Sequence, residues 1–493
     1  MMWIATKSRC QEIDRLAQSE FGIAQSDLME AAGQSVFNVV CEWIPIGRRL
    51  AVVCGKGKNG ADGFVVARLA RQAGYAVTCL VGASELELND AAANQLKRLR
   101  RVGVEPIFCD RPGFFETLDE YLNQDLIVDA LLGTGADGLV REPYKTLIEA
   151  MNRSVAEIVC VDIPSGLACD TGEPLGICIN ASETVTFGLP NPFLFQGQGQ
   201  EMTGVWSVAD IGFPQDLLAE PTDAELLTEV AHLLPKRAVA SHKGSNGSLI
   251  IIAGSSDMRG AAVLAARAAL RAGIGLVTVA SIESVLAAVA AHCPEATLMG
   301  QSADLIRSRL DRYDAAIFGP GLSTDPHAEA LLRDLWADWD LPCVVDADAL
   351  NLVASGVPLP TAKCVLTPHP GEMARLMPGE SDTRFGLAKK AAAKFNNVIV
   401  LKGAYTLIAT HGEAVAVNTC GNSGMATAGM GDVLSGVIGT LLAQGLSCSD
   451  AAKLGVFWHA KAGDACRDKI GSVGFTAMEV ADALVGARNM SPE

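Results

Sequence analysis

The 493-residue chain has no excess of basic residues: 39 Lys and Arg stand against 56 Asp and Glu, a formal net charge of -17. A protein that coats nucleic acid carries a basic footprint, so that class is excluded, and an anionic membrane surface would repel the chain. It also lacks a membrane span, although its mean hydropathy is positive. The uncharged stretch 414–431 is rich in Gly, Asn and Thr, and 433–449 is interrupted by glycines, Ser435 and Gln444. Neither supplies the roughly 20 predominantly apolar residues that a spanning helix needs. No apolar h-region follows the N-terminus, so no secretory leader is expected. No Cys-x-x-Cys pair occurs among the 14 cysteines, which disfavours thioredoxin-like chemistry and zinc sites of that spacing. Cys54, Cys79, Cys160 and Cys343 lie in apolar runs instead, as reduced thiols of a cytoplasmic protein would. A Walker-type G-x-x-x-x-G-K-[ST] loop is missing too, which disfavours that class of NTPase.

Apolar residues make up 49% and charged residues only 19%, enough apolar side chain to build cores and too little charge for disorder. At about 150 residues per domain, the length suggests roughly three domains or fewer, larger ones. Short β-branched runs alternate with alanine-rich helical stretches. Strands are expected at 50–54, 75–81, 126–130, 156–162 and 183–187, with amphipathic stretches at 61–73 and 88–101. A second series of strands falls at 248–253, 275–280, 313–319, 342–346, 361–366 and 397–402, with helices at 260–272, 326–338, 384–395, 432–444 and 449–467. Continuous apolar strands alternating with helices predict parallel sheets covered on both faces. Between the two series, 212–246 carries prolines and mixed charge and no good strand. This predicts domains at 1–215 and 241–493 with a linker at 216–240. Their glycine motifs differ, so the halves are two unrelated α/β domains rather than a duplication.

In open α/β sheets ligands bind beyond the carboxyl ends of the strands, and the chemistry-bearing residues fall there. GKGKNGADG (55–63) follows the first strand, and its G-x-G-x-x-G spacing points backbone N–H groups and a helix start at a phosphate. Asp129 near the end of the next central strand leads to a second glycine loop, 133–139, and Asp162 ends another before Ile163-Pro164-Ser165-Gly166. One Asp at a strand end is commonly a turn cap; Asn59, Asp62, Asp129, Asp162 and Ser165 together read as a ligand rim. The competing reading of this half is a conventional NAD-dependent dehydrogenase, but no acidic residue stands cleanly about 20 positions after the glycines.

In the second half, GNSGMATAGMGD (421–432) runs directly into a helical stretch. Gly429 and Gly431 allow amides to face an anion at the helix start, and Asp432 stands in its first turn. A carboxylate there suits a general base that deprotonates a hydroxyl attacking a phosphoryl group; the plainer alternative is a helix cap. His369 between two prolines and Lys402 at a strand end are further candidates for ligand contact.

The motifs LMEAAG (28–33), GKGKNGADG, VDALLGTG (128–135) and VDIPSGL (161–167) resemble the NAD(P)H-hydrate epimerase (YjeF N-terminal) family over about 1–215. The resemblance implies a Rossmann-like doubly wound sheet. It implies that the hydrated dinucleotide contacts Lys58, Asn59, Gly60, Ala61, Asp62, Gly133, Thr134, Gly135, Ala136, Asp137, Gly138, Leu139 and Asp162, with Asp162 moving the proton in preference to Asp62. It further implies a potassium ion on Asn59, Asp129 and Ser165, a hard-oxygen set suited to such a cation. Lys58 and Ala61 stand where that family commonly has Asn and Gly. From 240 to 490, HKGSNGSLIIIAGS, GPGL, DADAL, LTPHPGEM, LKGAYT and GNSGMATAGMGDVLSG resemble the NAD(P)H-hydrate dehydratase family, of ribokinase-like fold. Here the resemblance implies substrate contacts at Ala261, Gly321, His369 and Asp432. ADP, the co-substrate, is expected at Lys402, Gly403, Ala404, Tyr405, Thr406 and Gly431, with magnesium accompanying the nucleotide. Ser323 and Ala428 replace customary glycines.

The expectation is therefore an enzyme that repairs NADHX and NADPHX, with no nucleic-acid or membrane partner. The apolar content of so acidic a chain suggests a homo-oligomer. Two alternatives are a ribokinase-type small-molecule kinase fused to a dinucleotide-binding regulator, and a non-catalytic dinucleotide-binding protein.

Overall fold

The computed structural model describes residues 2–228 and 230–488; the expected domain ends at Met1 and 489–493 lie outside the described residues, as does Glu229. The chain divides into two compact units, Met2–Thr222 and Asp223–Glu493.

In the first unit a seven-stranded sheet runs in the order Ile107–Phe108, Ala76–Val81, Arg49–Cys54, Leu126–Ala130, Glu157–Val161, Glu183–Phe187, Val205–Ala209. Every pairing is parallel. The central strands are buried almost end to end, because helices cover both faces and leave no polar side to alternate with. Helices Gln25–Trp43, Lys58–Ala73 and Asp90–Arg101 pack on one face, and Tyr144–Arg153 on the other. Arg49–Cys54 pairs with Ala76–Val81 on one side and Leu126–Ala130 on the other. The winding reverses there, and such a switch point opens a crevice at the carboxyl ends. Both glycine loops leave from it.

The second unit's sheet runs in the order Ala224–Leu226, Val415–Val417, Leu407–Ala409, Val398–Leu401, Cys364–Leu366, Cys343–Val345, Ala315–Phe318, Ser248–Ile252, Leu276–Ser281, Thr297–Gly300. It is parallel from Val398–Leu401 to Thr297–Gly300. The expectation of an all-parallel sheet fails at 398–417, where Leu407–Ala409 pairs antiparallel with both neighbours. Leu407–Ala409 and Val415–Val417 are three-residue strands that follow Val398–Leu401 after short turns, and a turn that short allows only antiparallel pairing. The stretch 212–246 also holds a strand after all: Ala224–Leu226 pairs parallel with Val415–Val417. Three residues are too few for a hydrophobic pattern to show.

Helix Met430–Ala443 is buried over most of its length and packs on helix Arg259–Ala272. The contact depends on Gly436, whose Cβ, if present, would lie 2.4 Å from the Ala265 carbonyl oxygen. That close packing fixes the start of the helix carrying Asp432. No helix among the described residues is long and apolar enough to cross a membrane.

Candidate functional sites at the two sets of strand ends

A cavity of about 570 Å³ lies at the switch point of the first unit, within the size range of small-molecule sites. Lys58, Asn59, Asp62, Gly133, Thr134, Gly135, Ala136 and Asp162 line it. Gly60, Ala61, Asp137, Gly138 and Leu139 do not. A Cβ at Gly60 would stand 1.8 Å from the Gly55 carbonyl oxygen, so this glycine serves the tight turn. Ala61 is buried in the hydrophobic core behind the loop. Its methyl therefore faces away from any ligand. Leu139 is exposed.

Asp129 is fully buried: Oδ2 accepts the Ser165 N–H at 2.8 Å and Oδ1 the Ser165 hydroxyl at 2.7 Å. Burial raises its pKa despite these donors. Asp162 holds a left-handed backbone at φ 69°, unusual for a residue other than glycine, and such strain concentrates at functional positions. Its Oδ2 accepts the Thr134 N–H at 3.2 Å, tying the second glycine loop to the neighbouring strand end. Burial pushes the Asp162 carboxyl up. Asp62 is pushed well up by burial and then by the charge of Asp162. Asn59 is buried, and neither its amide oxygen nor its amide nitrogen has a hydrogen-bond partner.

Two N-terminal helices complete this cavity, the first marked by no motif and the second carrying LMEAAG at 28–33. Cys10, Gln11, Ile13 and Asp14 come from helix Lys7–Ser19, and Gln25, Leu28, Met29 and Ala32 from helix Gln25–Trp43. Lys7 pairs with Asp137 at 2.6 Å and donates to the Gly135 carbonyl at 3.0 Å, while Asp14 pairs with Lys58. One helix thus ties down both glycine loops. The available signal was Thr6 as a cap, with Ile13 and Ala17 on one buried face.

In the second unit, successive backbone bonds level the strand ends: Gly319 N–H to Ile252 O, Asp346 N–H to Phe318 O, Thr367 N–H to Val345 O and Lys402 N–H to Pro368 O. The side chains after them converge. Lys402 Nζ lies 2.7 Å from Asp346 Oδ1 and 3.8 Å from Glu372 Oε2. The second Asp346 oxygen accepts the Ser435 hydroxyl at 2.7 Å. Gly429 takes φ 89° to start the helix, and a Cβ on Gly431 would meet Lys402 Nζ at 3.3 Å. Asp432, in the first turn, is pushed up to about 7 by burial and by the charge of Asp346, against the pull of Lys402.

The remaining expected residues surround this cluster. His369 caps helix Pro370–Leu376 through Nδ1, and its backbone N–H donates to Glu372 at 2.8 Å. Gly321, at φ 59°, packs so that an added Cβ would sit 2.9 Å from the Cβ of Ala261. Ser323 adopts φ 75°, a conformation that glycine would hold without strain, and its N–H donates to Asp348 at 2.9 Å. Arg384 braces the 402–406 loop through the carbonyl of Ala404 at 2.9 Å, and Thr406 closes it on the Gly403 carbonyl at 3.0 Å. Asp464 holds the preceding glycine loop by the Gly421 N–H and the Asn422 amide, each at 3.0 Å. Ser435, Glu372 and Arg384 were not foreseen as parts of this site.

Known proteins share both halves. A family model described as NAD(P)H-hydrate dehydratase matches residues 249–485, and one described as YjeF-related protein N-terminus matches 25–193. The bifunctional NAD(P)H-hydrate repair enzyme Nnr of Moorella thermoacetica is 38% identical over 508 residues, 98% of this chain and 96% of that protein. The Escherichia coli enzyme of the same name is 38% identical over 499 residues, 100% of this chain and 94% of that one. Among solved structures, an ADP/ATP-dependent NAD(P)H-hydrate dehydratase of Bacillus subtilis, co-crystallized with ATP and Mg2+, is 30% identical. It covers 54% of this chain and 98% of that one, with a TM-score of 0.49.

Proposed function

The chain belongs to the family of bifunctional NAD(P)H-hydrate repair enzymes, and from that premise we propose how its own residues divide the work. The second unit dehydrates the S epimer of NADHX or NADPHX at the expense of ADP bound with magnesium, and the first unit interconverts the R and S epimers. Support for the first assignment comes above all from Asp432, poised near neutrality beside Lys402 at a glycine-started helix.

Asp432 takes the proton from the ring hydroxyl as that oxygen attacks the terminal phosphorus of ADP. The bond from phosphorus to the bridging oxygen breaks and AMP leaves. Lys402 and the amides at 429–431 meet the negative charge of the transferring group, the usual demand in phosphoryl transfer. Hydroxide, a poor leaving group, has become phosphate. The ring nitrogen's electron pair expels it, and loss of a ring proton restores the dihydronicotinamide. Ala261, Gly321 and His369 hold the hydrate, and 402–406 with Gly431 hold the nucleotide.

In the first unit Asp162 moves the proton, with Asp62 across from it as the alternative. Asn59, Asp129 and Ser165 would hold a potassium ion. The fit rests on Asn59's unpartnered buried amide, on a buried Asp129 carboxylate bonded only by N–H, O–H and S–H donors, and on an all-oxygen donor set. Bound there, the ion supplies positive charge beside the substrate's oxygen. Lys58, Asn59 and the 133–136 loop receive the dinucleotide.

The test is to incubate the full chain with mixed hydrated NADH epimers and ADP and follow reduced-nicotinamide absorbance. Full recovery of both epimers is expected. Recovery of one epimer would remove the epimerase half, and accumulation of a stable phosphoester would favour the kinase. No recovery with any nucleotide would overturn the whole reading.

A further inference from the structure

The cluster beneath Asp432 contains a residue with no role in the mechanism so far. Asp346 is only 1% exposed, yet both its oxygens are engaged by different elements. Oδ1 holds Lys402, at the end of strand Val398–Leu401, and also accepts the Ala347 N–H at 2.9 Å. Oδ2 holds Ser435, which is one helical turn past Asp432 and wholly buried. Residues three apart on a helix share a face, so the Ser435 hydroxyl lies under the proposed base.

We propose that Asp346 is a positioning residue for dehydration: seated on Ser435, it fixes Lys402 against the first turn of helix Met430–Ala443 and sets the electrostatic surroundings of Asp432. This rests on the reading of Asp432 as the base. The charged groups facing Asp432 all come from other elements. Asp346 and Asp348 come from the turn and helix after Cys343–Val345, and Lys402 from its strand end, with Glu372 reaching Lys402 from helix Pro370–Leu376. Helix Met430–Ala443 itself carries no other ionisable side chain. Of the two acids acting on Asp432, Asp346 acts more strongly. Removing its charge leaves Lys402 free to bias the base toward its ionised, weaker form, and lets the ammonium drift from the phosphoryl group. Both changes slow proton transfer and leave ground-state binding less affected.

The experiment compares Asp346→Asn and Ser435→Ala with the wild type in the full chain, measuring kcat and KM for ADP and hydrate from pH 5.5 to 9, with thermal melting as the folding control. For Asp346→Asn the expected result is a fall in kcat of about tenfold or more, a smaller change in KM, and an acid limb of kcat/KM moved below its wild-type position near 7. Ser435→Ala should move both quantities the same way by less. Should Asp346→Asn not fold, Ser435→Ala decides alone. A kcat within twofold of wild type, or a loss of kcat with the acid limb unmoved, overturns the proposal, the latter marking a merely structural tie. The underlying reading fails separately, in a wild type that does not dehydrate hydrate or an Asp432→Asn variant that still does.

Discussion

Both units carry carboxylates to the ends of parallel strands, but they accommodate the charge in opposite ways. In the first unit Asp129 and Asp162 are met by backbone N–H groups and hydroxyls, and burial pushes them up together with Asp62. In the second unit Asp346 is paired with a lysine at 2.7 Å, and Asp432 stands between that lysine and two acids. Hydrogen bonds alone leave a buried carboxylate wanting a proton or a cation. A lysine beside it offsets the charge and leaves a neighbouring acid free to titrate in the neutral range. On the proposed reading the first arrangement would suit acids that exchange protons with a substrate, and the second one base next to an anion.

The sharpest way to break this contrast is a pair of mirrored substitutions. Asp432→Asn should lower dehydration by 10²–10⁴-fold, the usual worth of a general base, while epimer exchange, followed by chromatography of the two hydrates, stays at the wild-type rate. Asp162→Asn should do the reverse: dehydration of the S epimer persists and the R epimer accumulates. If either substitution silences both activities in a folded chain, the division of labour between the units is wrong.

Much of this contrast could be read in the linear chain, and the unread part has a common physical origin. Glycine loops and strand-end acids are local features, because a backbone turn and the residue after a strand are fixed by neighbours in sequence. Asp432, Asp162, Lys402 and the 133–136 loop were visible for that reason. What could not be seen were partners brought in from a distance: Ser435 against Asp346, Lys7 and Asp14 against the two glycine loops, and Arg384 against 402–406. Each is an ordinary surface or helix residue until the fold sets it across from its partner. The antiparallel pairings at 398–417 and the strand Ala224–Leu226 escaped because three residues carry too little pattern.

A smaller effect sharpens the electrostatic side of the comparison. Asp432 works as a base only when ionised, and its carboxyl sits at about 7, so dehydration should rise with pH through that value. Between pH 6 and pH 8 kcat/KM should climb about tenfold, the ionised fraction growing as protons leave. In the first unit Lys58 pulls the other way on Asp62, but burial and the charge of Asp162 hold that carboxyl well above its usual range, so epimer exchange should not share that midpoint. Identical pH profiles for the two activities would mean that a common step, and not the two different charge environments, limits both.

The smallest expected effect concerns Ala61, where the resemblance to the epimerase family leads one to expect glycine. Position 61 faces the core cluster beneath helix Lys58–Ala73, and its methyl is wholly buried there. Restoring glycine therefore removes a packed methyl and loosens a helix, and it frees no space for the substrate. The two losses together amount to about 1–2 kcal/mol, a lowering of the first unit's Tm by roughly 2–4 °C per kcal/mol, with KM for the hydrates unchanged. Should Ala61→Gly instead lower KM at constant stability, the methyl would have to face the ligand, and the glycine loop would approach the dinucleotide by a path different from the proposed one through Lys58, Asn59 and the 133–136 loop.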